Sequence, residues 1–124
     1  MRVSGSYRPG DIVKVVLNED RGGHKPRWKL ILSTLESHAD SSYYLCVAIS
    51  TTFPEPPPAM NVPLPWHPLG TASTGLRKRS AAILDWVRRM PPTAILHREG
   101  YIKSRLLKQI YQLLEQLEEN EPSG

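Results

Sequence analysis

The sequence predicts a mainly β domain with some α-structure, in which a small, strongly curved sheet or barrel packs against one C-terminal amphipathic helix. Three observations carry this prediction: short runs of β-branched and aromatic residues, polar loops between those runs, and a terminal segment with helical periodicity. Strand and helix signals do not alternate, so a parallel sheet of βαβ units is not predicted. The 124 residues fit one domain, 1–124, with a core of about 8–118.

The first two predicted strands flank a polar loop. Residues 12–17 (IVKVVL) follow the turn signal RPGD at 8–11, and their short β-branched run is typical of a buried strand. The loop at 18–27 contains a glycine pair and several charged residues. It leads into the second predicted strand, 28–33 (WKLILS).

The third predicted strand is 43–50 (YYLCVAIS), which follows a polar connection at 34–42. Cys46 lies in this run and is the chain's single cysteine, so it has no partner for an internal disulfide. The run offers no neighbour that would generate a thiolate. We therefore expect Cys46 to be a small core residue and not a nucleophile.

Segment 53–70 carries seven of the chain's 12 prolines. Proline lacks the N–H donor that a sheet ladder needs, and it cannot continue a helix. The prediction is an extended loop with at most a short edge strand near Met60 to Leu64. The alternative is a polyproline II ligand for another protein, which the position of the segment between predicted strands disfavours.

Residues 80–87 (SAAILDWV) fit either a strand or a helix, and Pro91-Pro92 ends that element. A short run at 93–96 is a further strand candidate.

The C-terminal helix is predicted over 104–119, with Ser104 as the candidate N-cap. One stripe of apolar residues recurs at helical spacing, at positions 106, 107, 110, 113, 114 and 117. The tail at 120–124 is expected to fray.

The formal net charge is +4, and it is unevenly distributed. Residues 1–100 carry 13 Lys/Arg and 8 Asp/Glu, a balance of +5, whereas residues 101–124 carry 3 and 4, a balance of −1. A basic surface attracts nucleic acid or an acidic protein partner. The chain lacks a run of the ~18 apolar residues that cross a membrane, and it lacks a signal peptide, so we expect a cytoplasmic protein with no membrane partner.

The sequence predicts neither a metal nor a cofactor. The four histidines have no ligand spacing, and there is no C-x-x-C pair. The glycine-rich phosphate-binding motifs and the G-x-S-x-G nucleophile motif are also missing, which disfavours nucleotide-dependent and α/β-hydrolase chemistry.

Three groups of polar residues fall at the ends of predicted strands or inside an apolar run. They are His24, Lys25 and Arg27; Ser50, Thr51 and Thr52; and Asp85 with Arg88 and Arg89. Taken singly, each fits a solvated strand end, a turn or a structural ion pair. Taken together, they fit RNA cleavage without a metal, in which the ribose 2′-hydroxyl attacks its own phosphodiester.

That reaction needs a proton acceptor, a proton donor to the leaving 5′-oxygen, and cations on the phosphate. Arginine offers a planar fork that matches phosphate, and histidine titrates near neutral pH. The three tryptophans, Trp28, Trp66 and Trp86, are candidates to stack on bases, although tryptophans in a domain of this size are more often in the core.

The order of these motifs resembles the MazF/PemK family of toxins from toxin–antitoxin pairs. The matching pieces cover about residues 8–118. They are RPGDIVKVVL (8–17), KPRWKLILS (25–33), CVAISTT (46–52), TGLRKRSAAILDWVRRM (74–90) and EGYIKSRLLKQIYQLLEQL (99–117).

The resemblance implies a compact SH3-like barrel with a C-terminal helix, usually as a homodimer. It also implies a metal-independent, sequence-specific endoribonuclease that cuts single-stranded RNA to 2′,3′-cyclic phosphate and 5′-OH ends. A cognate antitoxin would cover the active cleft. Two alternatives stay open: a non-catalytic module on the same fold that binds nucleic acid or protein, and a toxin that targets DNA gyrase.

The resemblance also implies site residues. The essential arginine that opens the family's second strand corresponds to Arg27, or to Lys25 if the count starts from the loop, and the hydroxyl residue corresponds to Ser50 or Thr51. Asp85 matches an aspartate that some members use, and His24 is an assisting proton carrier chosen on chemical grounds. Predicted RNA contacts are Lys25, Trp28, Arg77, Lys78, Arg79 and Arg88.

This sequence departs from the family pattern at three of these positions. Trp28 stands where the family has proline, Trp86 stands where it has glutamine, and Ile83 stands where some members have an arginine.

Overall fold

The computed structural model describes residues 7–16 and 26–120, with the side chains of the helix described up to residue 117. Its elements, in chain order, are β1 (Asp11–Val16), β2 (Pro26–Ile31), β3 (Glu36–His38), β4 (Ser41–Ser50), β5 (Asn61–Leu64), β6 (Ser80–Met90), a 3₁₀ turn (Pro92–Ala94), β7 (Ile95–Tyr101) and α1 (Ser104–Asn120). The prediction of a mainly β fold with one C-terminal helix is confirmed.

The strands form one antiparallel sheet in the order β5-β6-β4-β2-β1-β7, with β3 paired to β4 outside this path. The predicted strands 12–17, 28–33 and 43–50 correspond to β1, β2 and β4. The second strand begins at Pro26, two residues earlier than predicted, so Arg27 belongs to the strand and not to the loop. Most of that loop, residues 17–25, lies outside the described residues.

Two predictions are wrong about where strands lie, one for a connection and one for a strand. The connection at 34–42 contains β3, which pairs with the start of β4 through a tight turn at Ala39 and Asp40. Both turn residues have positive φ, 49° and 67°, and because neither is a glycine, the usual sequence signal of a hairpin is missing there. In place of the strand candidate at 93–96, the structure has a 3₁₀ turn followed by β7. The ILHREGY sequence of β7 is too polar to predict a strand, and β7 pairs only with β1 among the described strands.

The other ambiguous segments resolve simply. Residues 80–87 form a strand, β6, which ends at Met90 immediately before Pro91. The proline-rich segment contributes only the edge strand β5, as predicted. Beyond β5 the chain makes a long connection at 65–79, here called the closing segment.

Apolar residues cover both faces of the sheet because side chains alternate along each strand. The larger cluster contains Ile12, Leu30 and Val47 and includes Ile110 of α1, which is fully buried. The smaller cluster lies on the other face and is built from Val13, Val15, Ile31, Tyr44, Cys46 and Met90. The helical stripe predicted from the sequence is therefore the stripe that covers the larger cluster.

The closing segment joins the two edges of the sheet. The Tyr101 N–H at the end of β7 donates to the Ser73 carbonyl at 2.9 Å, and the Thr74 hydroxyl donates to the Pro65 carbonyl at 2.7 Å. The same hydroxyl accepts from the Leu76 N–H at 3.1 Å, and Thr74 is fully buried. With these contacts the sheet curves into a compact barrel.

Two glycines allow that closure. A Cβ atom built on Gly100 would overlap the Ser73 carbonyl oxygen, and one built on Gly75 would lie 2.5 Å from the Glu99 carbonyl oxygen. Gly75 also has a φ of +73°, which disfavours any residue with a side chain.

Helix α1 begins one residue earlier than an N-cap at Ser104 requires. The Lys103 carbonyl accepts from the Leu107 N–H at 3.1 Å, which makes Lys103 the capping residue and corrects the Ser104 prediction. The predicted frayed tail at 120–124 begins with the last helical residue, and 121–124 lie outside the described residues. Within the described part of the chain, no helix is both long and apolar enough to cross a membrane.

We expect Gly100→Ala to lower the free energy of unfolding by about 1–3 kcal/mol or more, because the added methyl group has no room beside the closing segment. Urea unfolding followed by circular dichroism measures this. Ser42→Thr is the control, since it adds one methyl group at an exposed position of β4. Equal unfolding midpoints for the two variants would contradict this account of the closure.

Candidate functional site

The start of β2 lies beside the end of β4, where two of the predicted groups meet. The antiparallel register pairs Lys29 with Ala48 and Ile31 with Cys46. Continued by two residues, this register sets Arg27 opposite Ser50. Lys25 and His24 lie outside the described residues, so their predicted roles stay predictions.

Strand alternation divides the predicted residues between the two faces of the sheet. Neighbouring residues of a strand point to opposite faces, so Arg27 and Lys29 share one face and Trp28 occupies the other. By the same rule Ser50 falls on the face of Ala48, and Thr51 on the face of Ile49. The sequence predicted Arg27, Trp28, Ser50 and Thr51 in one site, and strand alternation divides these four residues between the two faces of the sheet.

On the face of Lys29, strand β6 departs from regular pairing. β4 pairs Cys46 with Arg88 and Ala48 with Ile83, so that one residue of β4 faces four residues of β6, 84–87. Leu84 stays buried, and its N–H donates to the Met60 carbonyl at 2.9 Å. The extra residues form a bulge, a distortion that often redirects side chains next to active sites.

The bulge exposes residues that a regular strand would hold against the sheet. Asp85 is exposed, and 68% of the Trp86 surface is open to solvent. The Arg88 guanidinium lies 4.6 Å from the centre of the Trp86 ring. These residues line an open depression of about 660 Å³, the bulge groove, with Lys29, Cys46, Ala48, Ile83, Arg89 and Met90.

The bulge groove combines a carboxylate, several cations and an exposed aromatic ring. Lys29 and Arg88 supply positive charge on its walls, and Asp85 supplies the carboxylate. Ile83 adds an apolar surface to this groove.

The opposite face carries a second concavity of about 510 Å³, the cationic groove. Its described lining consists of Lys14, Trp28, Ile49, Thr51, Gly75, Leu76, Arg77, Lys78, Ser80 and Glu99. Four sequence-predicted residues therefore come together here: Trp28, Thr51, Arg77 and Lys78. The Lys14 ammonium lies 5.4 Å from the centre of the Trp28 ring.

The two predicted hydroxyl residues differ in their hydrogen bonds. The Ser50 hydroxyl accepts from the Thr52 N–H and donates to the Thr52 carbonyl, both at 3.0 Å, so it closes a local turn at the end of β4. The Thr51 side chain lines the cationic groove.

Arg79, a predicted RNA contact, lies apart from both grooves in its described contacts. Its guanidinium is 2.6 Å from the Glu55 carboxylate and 3.9 Å from the centre of the Phe53 ring. These contacts tie the proline-rich loop to the start of β6.

The tryptophans are not core residues, which corrects the expectation that most of them would be buried. Trp28, Trp66 and Trp86 are 36%, 43% and 68% exposed. The prediction for Cys46 is confirmed: it is 2% exposed, and burial raises the pKa of its thiol. Among the described residues, no three His, Cys, Asp or Glu side chains are grouped as metal ligands.

Sequence reasoning missed three groove residues, Lys14, Lys29 and Glu99. Both lysines interrupt apolar runs, IVKVVL and WKLIL, at strand positions that open toward a groove. A single charge inside a strand run was the available signal. Glu99 had no such signal, because the extent of β7 was not predicted.

The family model described as PemK-like, MazF-like toxin of type II toxin-antitoxin system matches residues 8–117. The search of curated sequences gave no significant match. The match spans all seven strands and most of the helix.

We expect iodoacetamide to leave Cys46 largely unmodified in the folded protein, because the thiol is buried and its pKa lies above the ordinary value of 9.0. The urea-unfolded protein serves as the control and should react readily. Fast modification of the folded protein, read by mass spectrometry, would contradict the buried position.

The same pKa shift predicts a pH effect on stability. Because burial raises the pKa of the Cys46 thiol in the folded protein, the unfolded chain loses the thiol proton at lower pH than the folded protein does. The contribution of Cys46 to the free energy of unfolding is therefore complete below pH 9.0 and declines as the pH rises above it. Cys46→Ala should make the decline shallower, while Tyr44, whose pKa burial also raises, continues to contribute. Urea titrations between neutral and alkaline pH test this.

Proposed function

The chain belongs to the PemK-like, MazF-like toxins of type II toxin–antitoxin systems, and on that basis we propose that it is a metal-independent endoribonuclease acting on single-stranded RNA. Its products would carry 2′,3′-cyclic phosphate and 5′-OH ends. Members of such systems have an antitoxin partner, and we propose that a cognate antitoxin neutralises this chain by covering its RNA-binding surface.

The observation that best supports this proposal is the bulge of β6. It exposes Asp85 and Arg88 in a groove shared with Lys29. The start of β2 and the end of β4, with Arg27 and Ser50, lie on the same face. A carboxylate that can accept a proton and cations that can stabilise the phosphate are two of the three parts that metal-free RNA cleavage requires.

In the proposed reaction the 2′-oxygen attacks the adjacent phosphorus, a new 2′-O–P bond forms, and the P–O5′ bond breaks. Asp85 supplies a carboxylate that can accept the 2′-hydroxyl proton. Arg27 supplies the donors that stabilise the charge developing on the phosphate oxygens. His24, outside the described residues, stays the sequence-based candidate to protonate the leaving 5′-oxygen.

Ser50 and Thr51 have separate roles in this proposal. Ser50 fixes the turn at the end of β4, which holds the backbone beside Arg27. Thr51 lines the cationic groove, where its hydroxyl would meet RNA that continues around the strand ends.

Trp86 provides a stacking surface for a base at the cleavage site. Its ring is mostly exposed, and Arg88 lies against one side of it. Stacking on an aromatic ring is the usual way in which proteins hold single-stranded bases. The ring stands at the family's glutamine position, so base preference should differ from that of members with glutamine there.

We also propose that the chain is a homodimer. A mostly apolar concavity between α1 and the bulge supports this, with Leu32, Leu45, Leu84, Val87, Tyr111, Leu114 and Leu117 in its lining and Asp85 as its one charged residue. Exposed Val87 and Tyr111 lie at its rim. Light scattering of the purified chain measures the oligomeric state.

A non-catalytic nucleic-acid-binding module is the second candidate. Ile83 supports it, because that position lacks the arginine that some members have. RNA end-mapping separates the two functions: saturable binding without cyclic-phosphate ends would favour the binding module. Growth arrest that a neighbouring acidic gene product relieves would favour the toxin.

We expect Arg27→Ala to reduce cleavage of an unstructured RNA in EDTA by about 100-fold or more, the cost of losing a cation that stabilises a transition-state charge. Lys25→Ala tests the other alignment of the family's arginine. Arg105→Ala, an exposed charge change on α1, is the control. Full activity of Arg27→Ala together with inactive Lys25→Ala would transfer the role to Lys25.

We expect Asp85→Asn to lower the cleavage rate while RNA affinity stays nearly the same, because the amide keeps the shape of the carboxylate and loses its ability to take a proton. Single-turnover rates and Kd for an uncleavable 2′-deoxy analogue separate the two effects. An unchanged rate would remove Asp85 from the mechanism.

A further inference from the structure

We propose that the cationic groove is a nucleotide subsite, in which Trp28 stacks on a base that flanks the cleaved bond and Arg77 with Lys78 holds its phosphate. This inference rests on the proposed function for the identity of the ligand, single-stranded RNA. It assigns a role to the face of the sheet that the bulge groove does not use.

Trp28 is the aromatic platform of this subsite. It is 36% exposed although it lies in the middle of β2, with Lys14 of β1 as its cross-strand neighbour. The Lys14 ammonium sits 5.4 Å from the ring centre. A ring that is open to solvent and flanked by a cation fits a stacked base with a neighbouring phosphate.

The positive charge of the groove comes from three side chains on two elements. Lys14 lies on β1, and Arg77 and Lys78, both exposed, lie at the end of the closing segment. Glu99 is the one acidic residue of the described lining, and the His97 Nε2 atom lies 2.6 Å from its carboxylate. Cations therefore outnumber carboxylates, which favours a phosphate.

The groove is held in place before any ligand arrives. The Ser80 hydroxyl donates to the Lys78 carbonyl at 2.7 Å, and the Thr74 hydroxyl accepts from the Leu76 N–H at 3.1 Å. Gly70 lies against the Arg77 side chain, where an added Cβ would be 3.1 Å from Nε. A platform and cations that are fixed in advance lose little entropy on binding.

The position of the cationic groove relative to the bulge groove indicates which nucleotide of the RNA it would hold. Trp28 and Lys29 are adjacent, so their side chains leave opposite faces of the sheet, and an RNA strand that touches both must pass around the ends of β2 and β4. Thr51 lies at that crossing and lines the cationic groove. The subsite therefore takes a flanking nucleotide and not the one whose 2′-hydroxyl reacts.

An acidic protein segment is the other ligand that the three cations of the cationic groove could bind. It would use Lys14, Arg77 and Lys78, but Glu99 would repel its carboxylates, and an exposed indole stacks on a base better than on an acidic side chain. The exposed ring together with the acidic residue favours a nucleotide.

The test is binding of a fluorescent single-stranded 2′-deoxy oligonucleotide, which lacks the reacting hydroxyl, so binding is measured without cleavage. We expect Trp28→Leu to weaken Kd by about tenfold and Trp28→Phe to stay within about threefold of wild type, since phenylalanine keeps a stacking face. The double variant Arg77→Ala/Lys78→Ala should make the plot of log affinity against log salt concentration less steep. The change in slope should correspond to the loss of roughly one to two phosphate contacts.

The matched control for charge is Arg105→Ala/Lys108→Ala, which removes two exposed cations from α1 and should leave Kd within about twofold of wild type. Circular dichroism checks that each variant is folded. If Trp28→Leu does not fold, Trp28→Phe still tests the stacking role of the ring.

Three results would overturn the subsite: an unchanged Kd in Trp28→Leu, equal losses in Trp28→Phe and Trp28→Leu, or displacement of the wild-type complex by poly-glutamate with no dependence on Trp28. Failure of the proposed function looks different. In that case the oligonucleotide binds with the expected Trp28 dependence, and the ribose form of the same sequence is not cut.

Discussion

The close approach of two backbones, at Gly75 and Gly100, is the constraint on which the rest of this structure depends. The sheet has two free edges, β5 and β7, and the closing segment reaches β7 only because neither glycine carries a Cβ atom. The fully buried Thr74 then fixes the segment through two hydrogen bonds of its single hydroxyl. Closure removes an open edge that would otherwise pair with another chain.

The same closure builds the proposed nucleotide subsite. It carries Arg77 and Lys78 to the side of the sheet where Trp28 emerges, so a group at the end of a long connection faces a residue 49 positions earlier in the chain. On the other side, the β6 bulge performs a similar task for Asp85 and Arg88. In each case an irregular segment presents chemistry, and the regular strands around it supply the rigid support.

The departures from the family pattern gain physical meaning from these two surfaces. Trp86, where the resemblance implies an amide, is a large, open ring with an arginine against it, and Trp28, where the resemblance implies a proline, is a second ring on the other face. Ile83 makes part of the bulge groove apolar. An apolar residue at position 83 and two exposed rings favour stacking over charge in the proposed RNA contact.

Much of this protein follows from the sequence alone, because hydrophobic periodicity is a local property. The β-branched runs located β1, β2 and β4, the prolines confined β5 to an edge, and the 3.6-residue stripe located α1. Order along the chain also brought the relevant residues, from Arg27 to Asp85, into one hypothesis. Only the tertiary structure decided that they form two surfaces and not one, because the face of each residue depends on strand register and on a bulge that pairs one residue of β4 with four of β6. The extent of β7 and the burial of Thr74 could not be predicted for the same reason, because both are set by partners far away in sequence. Neither a polar strand sequence nor a single threonine indicates those partners.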